Sequence, residues 1–274
     1  MFAYLTAPAR AAIFYAIALG LAVVVSLFAG SLGEFSAMLT MLTPAAAVVV
    51  MLLLTREGFG RAARESLGVS RAGLGTWWFA ILGPVAILVA SYAVLVAAGF
   101  ATFAVPEIGR SAVQIAVNIS LGLAIGLVLA FGEEIGWRGY MLPKLAAIGT
   151  VPAMLVVGLL HGVWHLPIML MTPYYHAGGD PMIVVPLFLV TLTLAGIFFG
   201  FLRVWSGSVW PVAIAHAVYN FIWGLGSDFV TADRPETMEY IGGESGVLVI
   251  AGLIAFAFIL VPRIRGARMV PGAA

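Results

Sequence analysis

The sequence predicts an all-α polytopic membrane protein with eight transmembrane helices and both termini in the cytoplasm. Three observations carry that prediction. Of 274 residues, 63% are hydrophobic and only 9% are charged, whereas soluble domains are nearer half apolar and a quarter charged. The mean hydropathy is +1.12. The apolar residues fall into eight runs, and the cations collect in alternate connections between them.

A helix needs about 20 apolar residues to cross the hydrocarbon layer. The runs at 11–30, 36–54, 77–98, 112–134, 150–171, 181–202, 208–226 and 245–262 meet that requirement, with ends good to about four residues. The first is too long for the core of a signal peptide and lacks a cleavage site, so it reads as a retained helix. Residues 55–75, between the second and third runs, read as an amphipathic connector whose charges form a solvated face. Gly122 with Gly126, Gly132 with Gly136, and Gly196 with Gly200 have the small-residue spacing that lets membrane helices approach closely. Trp77, Trp78, Tyr174, Tyr175, Trp205 and Trp210 fall near run ends, as interfacial aromatics do. No internal repeat or low-complexity segment interrupts the chain, so residues 1–274 read as one membrane domain.

The loops set the orientation. Arg10, then Arg56, Arg61, Arg64 and Arg71, then Arg138 and Lys144, then Arg203, then Arg263, Arg265 and Arg268 share one side of an eight-span chain. They are eleven of the thirteen cations. The other side holds Arg110 and Arg234 with Glu34, Glu107, Asp180, Asp228, Asp233, Glu236, Glu239 and Glu244. Cytoplasmic loops carry the excess of Lys and Arg, which puts both termini inside. Twelve of the cations are Arg and one is Lys, a bias that points to a GC-rich bacterial genome and hence to a bacterial inner membrane. A net charge of +1 gives no electrostatic case for nucleic acid. With no Cys there are no disulfides, no thiolate-bound metals and no thiol catalysis.

Three stretches place polar groups where they are expensive, since a charge at the centre of a membrane helix costs about 2.5–3.5 kcal/mol on insertion scales. The first is LAFGEEIGWRGYML, residues 129–142. Glu134 and Arg138 are four apart, in the favourable order for a helical ion pair. Glu133 is turned about 100° away, towards Trp137, so it reads as unpaired, against apolar and aromatic surface, in surroundings that suit a general base. The competing reading is an inner membrane interface, where charges are cheap. The second is LLHGVWHLPIML, with His161 and His165 on one helix face. Gly162 stands where the zincin motif needs Glu, so that arrangement is absent. Pro167 is expected to kink or loosen the helix. The third is PVAIAHAVYNF, with His216 and Asn220 four apart. Together they could hold a developing oxyanion; the alternative is an interhelical hydrogen bond worth about 0.6 kcal/mol. His176, in an outer loop, suggests no role. If Glu133, His165, His216 and Asn220 converge on one water-filled cavity, each offsets the cost of the others.

The ordered set Glu133-Glu134-x-x-x-Arg138, His161-x-x-x-His165 and His216-x-x-x-Asn220 resembles the type II CAAX prenyl protease and bacteriocin-processing (CPBP, or Abi) intramembrane protease family. The likeness covers about residues 112–226. One departure is visible: the family usually has Phe where this chain has His161, an exchange that is either neutral or adds a polar wall to the cavity. The resemblance implies an eight-helix fold with a cavity open towards the cytoplasm. It implies that Glu133 and His165 activate a water for attack on a peptide carbonyl. His216 and Asn220 would stabilise the oxyanion, and Glu134 and Arg138 would brace the site. Members are commonly called metalloproteases. Glu133, His165 and His216 could make a three-ligand zinc set with an open position, while a glutamate-activated water needs no metal; both stay open. The implied partners are the bilayer and a peptide or lipidated protein substrate.

Counted along the helices, His165 stands roughly 22 Å from the inner end of its own span, whereas Glu133 closes the preceding one. The two meet only if the fourth helix runs on towards Lys144, and the expectation is that they lie at similar depth. Two other functions fit the same residues. A proton-coupled transporter would use the acids and histidines as a relay, although the repeated broken helices of such carriers are missing. A non-catalytic scaffold or immunity protein would keep the fold alone.

Overall fold

The computed structural model describes residues 5–105 and 112–264. Glu107, Arg110, Arg265 and Arg268 therefore lie outside the described residues. Among the described residues the chain is almost entirely helical. The long helices are α1 (Ala7–Leu27), α2 (Phe35–Leu54), α4 (Trp77–Ala97), α5 (Ala112–Glu134), α6 (Thr150–Met171), α7 (Pro181–Ser206), α8 (Trp210–Phe229) and α9 (Val247–Ile264). The connector contains the short α3 (Arg61–Leu67). Two-residue strands, β1 (Thr102–Phe103) and β2 (Val230–Thr231), pair antiparallel.

Every expected run is a helix. Among the described residues, seven of these helices are long and apolar enough to cross a membrane by length and composition. The helix left out is α8, whose twenty residues include His216, Tyr219, Asn220 and Asp228. Its polar side chains, which made it a candidate for chemistry, dilute its apolarity. The fourth run extends well past Glu134. Val113–Lys144 forms one 32-residue span, with Ile135–Met141 wound as a π-helix. That winding is rare and is frequently found at functional sites. Pro167 does not end α6, which continues to Met171.

The core is a single large apolar cluster shared by α1, α2, α4 and α6–α9, with a smaller one of Ile168, Met169, Val184 and Phe188 beside it. Helices α6 and α7 approach backbone to backbone at two glycines. A Cβ on Gly158 would lie 2.4 Å from the Leu192 carbonyl oxygen, and one on Gly196 would lie 2.3 Å from that of Met154. Gly132 and Gly136 likewise press on Met41, Leu42, Pro44 and Phe14 of α1 and α2. Gly122 and Gly126 do not behave this way, because nothing lies within 4 Å of a Cβ at either.

The charges sort to two ends. Arg10 pairs with Glu57 at 3.0 Å, and Lys144 reaches the same carboxylate at 3.5 Å. Arg203 donates to the Ser66 carbonyl at 3.1 Å. The start of α1, the α2–α4 connector, Lys144 and the end of α7 therefore gather at one end of the bundle. In the connector, α3 buries Ala63 and Leu67 and shows water an Arg61–Glu65 pair, as an amphipathic segment should. The acidic loops meet at the opposite end, where His176 contacts Glu239 and Glu244. Tyr174 and Tyr175, just past the end of α6, both line a cavity in the bundle.

Gly196→Ala is expected to destabilise the protein by about 1–3 kcal/mol, the usual range for overpacking. Gly122→Ala should be neutral or slightly stabilising, since Ala is the better helix former. Unfolding of both variants in the same detergent checks the contrast.

Candidate active site

The site is built where the end of α5 passes between α6 and α8. Glu133, Glu134 and Arg138 are almost fully buried, at 1%, 0% and 1% exposure. The rotation between the two acids separates their surroundings, as the helical geometry dictates. Glu134 takes Arg138 Nη1 on both oxygens, at 3.0 and 3.1 Å. It also accepts from His216 Nδ1 at 2.9 Å. Glu133 points to α6, where His161 Nε2 lies 2.6 Å from its Oε2. The unpaired Glu133 expected from sequence is thus corrected: it has a partner, supplied by the histidine that departs from the family pattern. Nδ1 of the same His161 lies 3.1 Å from Arg138 Nη1. One guanidinium nitrogen therefore contacts both Glu134 and His161.

His165 sits one turn further along α6, with Nδ1 3.0 Å from the His161 carbonyl oxygen. A carbonyl only accepts, so Nδ1 carries the proton and Nε2 keeps its lone pair. Donor atoms of Glu133, His161 and His165 all lie within 4.8 Å of one another. The two expected partners, Glu133 and His165, are therefore at one depth, and the long fourth helix is what brings them there. The three-donor set is not the one the sequence suggested. His216 is turned to Glu134, and His161 takes its place beside Glu133 and His165.

Aromatic rings fix the orientations. Trp137 stacks on His161, with centroids 5.0 Å apart at 28°. Trp164 packs edge-on against His165 at 4.5 Å. Phe199 stacks on His216 at 5.7 Å and lies 4.9 Å below the Arg138 guanidinium.

A cavity of about 310 Å³ opens beside these groups. Glu133, His161, His165, His216 and Asn220 line it, with an apolar wall that includes Ile87, Ile168, Leu192 and Phe198. Glu134 and Arg138 do not line it and stand behind the wall. All four side chains expected to do chemistry thus face one space.

The sequence reading missed a second polar cluster on the same cavity. Glu244 is 7% exposed and lines it. It accepts from the Tyr175 hydroxyl at 2.8 Å and from His176 Nε2 at 3.0 Å, while Tyr219 donates to its backbone carbonyl. His176 Nδ1 bonds Glu239 at 2.6 Å. Burial opposes charging this imidazole, but carboxylates on both of its nitrogens prevail and raise its pKa from 6.5 to about 9. His176 also has φ of 53°, unusual for a residue with a side chain. Its place in a loop and the surplus of acids on that side were the only signals available; neither named a partner.

The fold and site define a polytopic membrane protein with an acid–imidazole centre on an internal cavity. Residues 114–222 match the family model described as type II CAAX prenyl endopeptidase Rce1-like. The resemblance carried by the three motifs is thereby shown over that segment, and the match supports a membrane-embedded protease. No curated protein matches the chain.

His176 titrates above neutrality, so its folded-state pKa exceeds its unfolded one. The stability it contributes is complete below about pH 6.5 and is lost as the pH rises through about 9. The difference in thermal stability between wild type and His176→Gln should therefore be largest below pH 6.5 and should shrink above pH 9. Melting curves of both proteins across that range in one detergent measure it.

Proposed function

We propose that the protein is an intramembrane endopeptidase that hydrolyses a peptide bond with a water activated by Glu133 and His165. One observation carries the reading. A carboxylate and an imidazole from two helices, with donor atoms within 4.8 Å, line the same cavity as His216 and Asn220 inside an apolar bundle. The Nε2 lone pair of His165 receives one hydrogen bond from the water and Glu133 takes the proton as the water attacks. Glu133 then delivers that proton to the leaving amine. His216 is held by Glu134 through Nδ1, and in its charged form it donates from Nε2 to the tetrahedral oxyanion. The Asn220 amide donates beside it. Glu134 and Arg138 brace these groups without facing the cavity. The substrate is a peptide or lipidated protein, with CAAX-type trimming of a C-terminus as the reaction the family match favours. The catalytic core is residues 112–226 of a single membrane domain.

The metal that the family's usual description suggests does not fit the donors as they are arranged. Glu133 and His165 offer lone pairs, but the remaining member of the three-donor set, His161, faces them with a nitrogen whose proton is fixed by Arg138. No step of the mechanism is routed through a metal.

The positive-inside count supports an orientation with the cation-rich end and termini in the cytoplasm, which requires α8 to cross within the bundle, and the excess of Arg over Lys supports a bacterial inner membrane. The resemblance further implies a cavity facing the cytoplasm. The absence of Cys makes this measurable. A single Cys at Glu65 should react with an impermeant maleimide only when the cytoplasmic face is opened, and a single Cys at Glu236 should react in intact spheroplasts.

Purified protein should cleave an internally quenched, farnesylated CAAX peptide. Glu133→Gln and His165→Ala should abolish cleavage while the melting transition persists. Asn220→Ala should lower kcat by about 10²–10³, as loss of one oxyanion donor does. Full activity in both Glu133→Gln and His165→Ala would defeat the proposal, and substrate-dependent proton flux without cleavage would identify a carrier.

A further inference from the structure

His161 lines the cavity and the mechanism above leaves it unused, yet it is among the most constrained side chains in the protein. It is 1% exposed, stacked on Trp137 and bonded at both ring nitrogens. Its partners determine where its proton sits. Arginine has five donors and no acceptor and stays charged. Nδ1, 3.1 Å from Arg138 Nη1, must therefore accept. A neutral imidazole with an accepting Nδ1 carries its hydrogen on Nε2. That nitrogen is 2.6 Å from Glu133 Oε2, so the carboxylate oxygen accepts. The opposite assignment fails: a protonated Glu133 donating to Nε2 would leave the ring with two acceptors and no hydrogen.

We propose that His161 is a positioning residue, a hydrogen-bond donor that fixes the Glu133 carboxylate through an Arg138–His161–Glu133 relay, and that it is not a metal ligand. This rests on the reading of Glu133 as the base. The relay ties up Oε2 of Glu133 and leaves Oε1 for a water. It also accounts for the conflict over metal. A cation bound at His161 Nε2 would have to displace the proton there, and the ring could regain one only at Nδ1. Arg138 would then be driven off Nδ1, although the same Nη1 also holds Glu134. His165 stays free to turn its own Nε2 to the cavity, because its Nδ1 is anchored on the His161 carbonyl. Two histidines of identical chemistry, one turn apart, are thereby set to opposite tasks by what each finds at Nδ1.

The test uses the full-length protein in detergent with ¹⁵N-labelled histidine. The chain has four histidines, and single His→Gln variants assign them. The expected spectrum has a protonated Nε2 and a bare Nδ1 at His161, unchanged by equimolar Zn²⁺. A proton on Nδ1, or stoichiometric Zn²⁺ binding that removes the Nε2 proton and is lost in His161→Gln, would overturn the proposal. Kinetics on the farnesylated reporter peptide supply the second arm. His161→Phe keeps a ring for Trp137 but no donor, and should lower kcat by about tenfold, a cost in keeping with a misplaced reacting group, with KM within twofold of wild type. His161→Gln keeps an N–H donor and should recover most of the loss. Equal losses in the two variants would reduce His161 to a packing residue and overturn the relay. Absence of any peptide cleavage by wild type would sink the protease reading instead, and the spectrum alone would then decide the relay.

Discussion

The buried guanidinium of Arg138 is the interaction on which the site depends. Two carboxylates stand on consecutive residues inside an apolar bundle, and insertion of each costs on the order of 2.5–3.5 kcal/mol. Arg138 neutralises Glu134 at 3.0 Å and bonds His161 at 3.1 Å. Glu134 in turn holds His216. A single cation therefore sets the orientation of groups on α6 and, through Glu134, on α8. Buried ion pairs rarely add net stability, because desolvation offsets the attraction. What this one supplies is arrangement, since the imidazoles are aimed by fixed partners before any substrate arrives.

Arg138 stands on the π-helical turn at Ile135–Met141, through which the chain continues to Lys144. Its backbone is held from the far side. Arg203 of α7 donates to the Arg138 carbonyl at 3.2 Å and to the Ser66 carbonyl at 3.1 Å, joining the turn to the connector. Gly68, with φ of 76°, ends α3 where a Cβ would sit 2.8 Å from the Arg203 guanidinium. The connector, read as amphipathic with its charges on a solvated face, thus has a buried side that backs the turn carrying Arg138.

Much of this was legible in the sequence because membrane helices obey length and charge rules that need no tertiary knowledge. The eight runs, the two-ended sorting of charge and the different fates of Glu133 and Glu134 all follow from spacing and helical rotation. The missed features depend on contacts between segments distant in sequence. Nothing local to His161 says that Glu133, 28 residues earlier, will face it. His176 and Glu244 are 68 residues apart and meet only through loop geometry. Tyr175 resembles any aromatic at a helix end until its hydroxyl is seen on Glu244. The spacing of Gly122 and Gly126 is that of a packing motif, but spacing cannot say whether a neighbour is present. The low apolarity of α8 has a related reason: a helix that supplies polar groups to a cavity is, by composition, a poor membrane span.

The indole of Trp164 joins the turn of α6 that carries His161 and His165 to the start of the chain. Its N–H reaches the Ala18 carbonyl at 3.3 Å and the Thr43 hydroxyl at 3.1 Å. Phe14 and Pro44 close on Gly136 from the same direction. All four of those residues precede the segment 114–222 that carries the family signature. That segment is consequently no autonomous module. Excised or grafted onto another scaffold, it would keep every signature residue and lose the buttress that aims them, so homology and self-sufficiency part company at its boundaries.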